Sequence, residues 1–255
     1  MKYMHSLDGH TAPINCIKFT ADGKYCMTAS DDKTVILFNP YKQNLSTLQD
    51  PSNDTSISQN NSMKKSALAI KQYGGIHGYS VLDLDISQDN NTIISCGYGN
   101  SIYYCDVSSA QILRKFQNNS ITKTNNTRVN SIAFNKENNV AVSGSYDKVV
   151  DIWDMKSHSI APIQTLSHFR DSVSKVNITN HEIIASCVDG CCYTYDLRMN
   201  KVHIDSTSTN TPIVSCSLSH SNELLLLTCL GNINTSGKLL LINRQTGNLL
   251  KTMTG

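Results

Sequence analysis

One pattern comes round five times in this chain, and it leaves few folds open. An apolar-x-x-apolar-x-apolar frame occurs at Ile14, Ile17 and Phe19 and again at Val81, Leu84 and Ile86. It returns at Val129, Ile132 and Phe134, at Val173, Val176 and Ile178, and at Ile213, Cys216 and Leu218. Each frame is short, rich in β-branched or aromatic residues and bounded by turn residues, which favours a strand over a helix. In the first three units a small hydroxyl residue follows fourteen positions after the frame begins: Thr28, Ser95 and Ser143. Ten positions further on comes a bulky or apolar residue followed by Asp or Asn: Phe38-Asn39, Cys105-Asp106 and Trp153-Asp154. Tyr195-Asp196 and Ile242-Asn243 supply the same pair in units four and five. The frames start 67, 48, 44 and 40 residues apart. A period near 40–45 with several strands per unit is that of a propeller blade.

Between the hydroxyl and the bulky residue lie tight turns: Ser30-Asp31-Asp32-Lys33, Gly97-Tyr98-Gly99-Asn100, Ser145-Tyr146-Asp147-Lys148 and Val188-Asp189-Gly190. Asp, Asn and Gly accept hairpin geometry. Each unit thus reads as three hairpin-linked strands and an outer fourth, such as Gln111 to Phe116. A lone four-stranded blade cannot bury both faces, so neighbours must stack about an axis. The expectation is an all-β propeller with five four-stranded blades, in repeats at about 1–47, 73–117, 121–167, 168–206 and 208–255. Residues 48–72, rich in Ser, Asn and Gln, read as a flexible insertion between the first two blades. Residues 231–236 read as a smaller one.

Ser143-Gly144-Ser145-Tyr146-Asp147 running to Ile152-Trp153-Asp154 resembles the WD-repeat signature, and Gly9-His10 resembles its opening. The stretches Tyr25 to Pro40, His77 to Leu84, Ile112 to Phe116 and Arg170 to Met199 are similar to the mitogen-activated protein kinase organizer family. That resemblance covers most of the chain outside the insertion. It implies seven blades, so the five units read as an incomplete seven-bladed ring in which a strand at Lys2 to Leu7 has no blade to complete. Closure as five blades, or completion by another chain, stays open. It also implies a non-catalytic scaffold, cytoplasmic and nuclear, whose partners are proteins of signalling or spliceosomal complexes. Relatives also associate with an oxygen-sensing prolyl hydroxylase.

The WD resemblance further implies a hydrogen-bonded set of loop His, strand Ser or Thr, turn Asp and strand Trp that braces each blade. Here it is scattered: His10, Thr28 and Asp32 in unit one, His77 and Ser95 in unit two, Ser143, Asp147 and Trp153 in unit three, Asp189 in unit four. Phe38 and Asn125 stand where a Trp and a His are expected, and His168 is one residue out of register. A His, a Ser and an Asp also make a hydrolase triad. Repetition at strand-and-turn spacing, with no nucleophile elbow, argues for bracing instead. No catalytic residue, metal or cofactor is expected, and the central channel is expected to be lined mainly by apolar and hydroxyl side chains.

Cys187, Cys191 and Cys192 lack metal-site spacing, and adjacent strand residues face opposite ways, so they read as blade filling. Asp196-Leu197-Arg198 resembles the box by which some WD proteins dock on a cullin ubiquitin-ligase adaptor, which makes Arg198 the alternative functional residue. Candidate protein-binding residues beside the turns are Asp31, Tyr98, Arg128, Tyr146 and Arg170, because aromatic and Arg side chains carry much interface energy. A net charge of +2 without a basic cluster gives no reason to expect nucleic acid. The longest apolar run, Leu224 to Leu227, is too short to span a bilayer, and no apolar leader opens the chain. Nine cysteines without a leader suit a reducing compartment.

Overall fold

The computed structural model describes residues 6–43, 66–117, 128–199, 201–206, 211–231 and 236–254. All regular structure in them is strand. Blade one consists of β1 (Ile14–Phe19), β2 (Cys26–Ser30), β3 (Val35–Gln43) and β4 (Ala67–Tyr73). Blade two contains β5 (Val81–Ile86), β6 (Thr92–Gly97), β7 (Ser101–Asp106) and β8 (Ile112–Gln117). Blade three is made of β9 (Val129–Phe134), β10 (Val140–Ser145), β11 (Val150–Asp154) and β12 (Gln164–Leu166). Blade four holds β13 (Val173–Ile178), β14 (Glu182–Cys187), β15 (Cys191–Asp196) and β16 (Lys201–Ser206). Blade five has β17 (Ile213–Leu218), β18 (Leu224–Cys229), β19 (Lys238–Asn243) and β20 (Leu249–Thr254). Every sheet is an antiparallel meander, so the protein is a propeller of five four-stranded blades set in a ring.

Local chemistry makes the hairpins. The turn between the first two strands holds Gly23, Asn90, Asn138 and Asn222 at φ 68°, 60°, 56° and 60° in blades one, two, three and five. These are the residue types that tolerate the left-handed region. Two of these Asn side chains also reach the preceding blade, where Oδ1 of Asn90 accepts from the Ala21 amide and Oδ1 of Asn138 from the Gln88 amide.

A bulge explains the frame itself. Strict alternation would send residues i and i+3 to opposite faces. In every inner strand the register shifts at the second frame residue, between Ile14 and Cys16, Val81 and Asp83, Val173 and Lys175, and Ile213 and Ser215. In blade three the shift falls between Gly144 and Ser145 of β10, opposite Asn130. The extra residue brings the first, fourth and sixth frame positions to one face and re-aims the second.

That apolar face packs on the preceding blade, so the core lies between blades. One cluster joins Met27 and Ala29 to Val81 and Leu84, and another joins Val142 and Val150 to Val173 and Val176. Gly144 makes room at the second of these, because a Cβ there would stand 2.6 Å from Cγ1 of Val173 and 2.8 Å from Cγ1 of Val176. The inner strands pack successively from β1 through β5, β9 and β13 to β17, and among the described residues no comparable packing joins β17 to β1. The seam shows in exposure. Ile17 is 49% exposed, whereas Leu84, Ile132 and Val176 at the same repeat position are at 0%.

One expectation changes. Residues 67–72, read as the end of an insertion, lie in β4, because Tyr73 buries against the blade with its hydroxyl donating to the Val107 carbonyl and Ala67–Tyr73 pairs along β3. Residues 44–65 of that segment lie outside the described residues, as do residues 232–235 of the second insertion. Of the strand expected at Lys2 to Leu7, residues 1–5 are likewise outside, and Ser6 makes one parallel bridge to Ser66.

Candidate functional site

The blade-bracing set is complete only where its members coexist. In blade one, His10 Nδ1 lies 2.7 Å from Asp32 Oδ2 and Nε2 lies 2.7 Å from Thr28 Oγ1. Burial opposes ionisation of Asp32, but hydrogen bonds from Thr34, His10 and the Thr11 amide outweigh it and hold the carboxyl at about 2. Phe38 fills the Trp position with its ring fully buried. In blade two His77 Nε2 meets Ser95 Oγ at 2.7 Å, its ring edge-on to Tyr103, and burial depresses its pKa to about 4. In blade three Trp153 Nε1 donates to Ser143 Oγ at 2.9 Å. Asp147 does not join them: its Oδ2 has no partner among the described residues, and Asn125 lies outside these. In blade four the Tyr193 hydroxyl donates to Asp189 Oδ2 at 2.7 Å, in the role expected of a His, while His168 only packs its ring near Tyr195.

The channel overturns an expectation. The third and fifth frame positions turn inward and bring charge with them: Asp83 and Asp85 from β5, Lys175 from β13 and Lys18 from β1. Lys175 Nζ reaches Asp83 Oδ2 at 2.5 Å across blade three, and the same carboxylate accepts from the Ser131 hydroxyl and the Ile132 amide. Burial raises the Asp83 pKa, but Lys175 and these hydrogen bonds outweigh it and the net shift is downward. Lys18 pairs with Asp85 at 3.4 Å, and Asp85 also accepts from the Phe134 amide. These charges lock blades to one another. Burial pushes the neighbouring Cys16 thiol up to about 12, away from nucleophilic use. Cys187 and Cys191 pack in one inter-blade cluster and Cys192 in the next, on opposite faces of blade four, as adjacent strand residues should. Among the described residues no group of three metal-ligating side chains occurs.

At the end where inner strands begin, the five bulge residues Asn15, Leu82, Asn130, Ser174 and Val214 converge, one per blade, on a cavity of about 410 Å³. Among the described residues that line it, Arg128 is the one charged residue. Its backbone carbonyl accepts from the Tyr146 amide and the Ser145 hydroxyl, and it bridges to Tyr98 and Gly99. Its guanidinium lies 4.9 Å from the Tyr146 ring centroid and 5.6 Å from that of Tyr98, and donates to the Tyr98 hydroxyl at 3.1 Å. Both tyrosines are exposed. Asp31, held by Asn15, lines an adjoining hollow with Tyr79 and Tyr98.

The structure therefore brings four of the expected binding residues together: Asp31, Tyr98, Arg128 and Tyr146. Arg170 lies exposed at the rim, its carbonyl taking a hydrogen bond from Lys148. Arg198 is at the opposite end of the blades, exposed, 3.6 Å from Asp196, whose other oxygen caps the turn amides of residues 198 and 199. Sequence reading missed Tyr79 and the five bulge residues. Their signal was available as the second position of each frame.

Meander blades, an internally braced channel and a rigid aromatic rim define a WD-repeat propeller, a class that generally works through protein–protein contact. A WD domain, G-beta repeat model matches residues 1–39, and the nucleolar protein 10-like N-terminal domain model matches residues 79–238. WD repeat domain-containing protein 83 of Rattus norvegicus is 33% identical over the whole chain and 69% of its own length. Its Dictyostelium discoideum homologue is 26% identical over 88% of the chain and 67% of its own length, and an uncharacterised WD-repeat protein of Schizosaccharomyces pombe is 30% identical over 95% and 69%. The chain belongs to the WD-repeat propeller family of WD repeat domain-containing protein 83. One correction to the sequence reading concerns the family model: the one that matches the larger part of the chain is the nucleolar protein 10-like N-terminal domain, which the sequence did not announce.

Proposed function

We propose that this chain is a non-catalytic scaffold that assembles multiprotein complexes in the cytoplasm and nucleus, of the kind that serve pre-mRNA splicing or kinase cascades. The supporting observation is the channel mouth. Side chains from all five blades meet there around a pre-positioned Arg128, flanked by exposed tyrosines, and the charged groups below are spent on joining blades. Rigid aromatic and Arg anchors at the centre of a patch are what binding surfaces use.

Affinity purification of the tagged chain and of Arg128→Ala, with mass spectrometry, tests this. Spliceosomal or kinase-cascade proteins captured by the wild type and depleted in the variant are the expected result. A cullin adaptor captured instead, and lost on Arg198→Ala, would replace the reading with that of a ubiquitin-ligase substrate receptor.

A further inference from the structure

We infer that the channel mouth takes an acidic side chain, the carboxylate of an Asp or Glu in an extended peptide of the partner, with Arg128 as its anchor. This rests on the scaffold reading and adds the chemistry of the partner. Arg128 is a cation without an anion: among the described residues it forms no ion pair, and its Nε is buried with no hydrogen-bond partner. Its position is fixed before any ligand arrives, by the turn contacts of its backbone and by the two tyrosine rings about it. Pre-organisation of this kind lowers the ordering cost of binding. Of the carboxylates around the mouth, Asp31 is held by Asn15 and Asp83 by Lys175, and Asp147, in the turn beside Tyr146, forms no ion pair with Arg128 among the described residues.

The rest of the lining sets the remainder of the ligand. Leu82, Ile213, Val214 and Leu230 give apolar walls, and Asn130 and Ser174 give polar ones. A single guanidinium neutralises a single carboxylate and can meet it with paired N–H donors. A dianionic phosphate would be left with uncompensated charge, since no second cation lines the cavity among the described residues. The favoured ligand is therefore a carboxylate flanked by apolar residues.

The test is fluorescence anisotropy on the 255-residue chain with labelled Ser-Gly-Leu-Glu-Leu-Gly-Ser and the same peptide carrying Gln, Lys or phosphoserine at its centre. Wild type should bind the Glu peptide about tenfold or more tighter than the Gln peptide, the worth of one charge-assisted contact. Arg128→Gln, with its fold checked by circular dichroism, should bind both alike. If that variant fails to fold, Arg128→Lys and the salt dependence of the wild-type Glu-to-Gln ratio serve instead, and the ratio should fall as salt rises. Equal binding of Glu and Gln peptides, discrimination that survives Arg128→Gln, or no binding of any peptide overturns the carboxylate assignment. Tighter binding of phosphoserine than of Glu also overturns it, in favour of a phosphate site. None of these touches the scaffold reading, which partner capture tests separately.

Discussion

Replacing Asp83 by Asn isolates the charge that locks the channel. The substitution keeps the side chain's size and leaves Lys175 beside a neutral amide, about four-fifths buried, since its side chain retains 21% exposure against 3% for Asp83. Breaking a buried pair by removing one partner costs about 3–5 kcal/mol, and the residual exposure of Lys175 puts this case near 3. For a domain of this size each kcal/mol moves the melting temperature by about 2–4 °C, so Asp83→Asn should melt roughly 6–12 °C below wild type. Adding Lys175→Met removes the stranded charge and should recover most of that loss. Differential scanning calorimetry at pH 7.5 on the wild type, both single variants and the double variant closes the cycle. A shift under about 2 °C for Asp83→Asn, or a double variant no more stable than it, would refute the claim that this pair holds blades two and four together.

Three further outcomes follow from the same geometry. His77 is neutral in the fold with its pKa at about 4 against an ordinary 6.5, so the unfolded chain binds the extra proton between those values; stability should fall by up to roughly 3 kcal/mol as pH drops through that window. Urea midpoints at pH 7.5 and 5.0 should show His77→Gln lacking that part of the fall. Ile132→Ala should cost about 2–5 kcal/mol while Ile17→Ala at the same repeat position costs well under 1, and chemical denaturation giving equal losses would contradict the seam. Gly144→Val should cost about 1–3 kcal/mol or more by thermal melt, because its Cβ alone meets Val173 and Val176 inside contact distance.

Much of the blade could be read from the residues because it is local. The frame, the Asx and Gly turns and the Thr28, Ser95 and Ser143 positions recur along the chain, and strand pairing between sequence neighbours follows from them. The bracing set was legible where both partners were present, as in His10 with Asp32 and Trp153 with Ser143. It failed where a substitute came from another position: Tyr193 reaches Asp189 from four residues away, and no WD spacing announces it. β4 was missed because the run Ala67–Tyr73 carries Lys and Gln and sits beyond a long polar segment.

By itself the sequence determined the all-β class, the five units and their turns, since periodicity and turn chemistry act over a few residues. Only the tertiary structure decided what the inner strands do. The bulge at each second frame residue sends Asn15, Leu82, Asn130, Ser174 and Val214 to one mouth, and it turns Asp83 and Lys175 toward each other across 92 positions of chain. Whether a side chain faces core, channel or rim depends on a one-residue shift in pairing and on which blade stands alongside. Neither is written in any single strand.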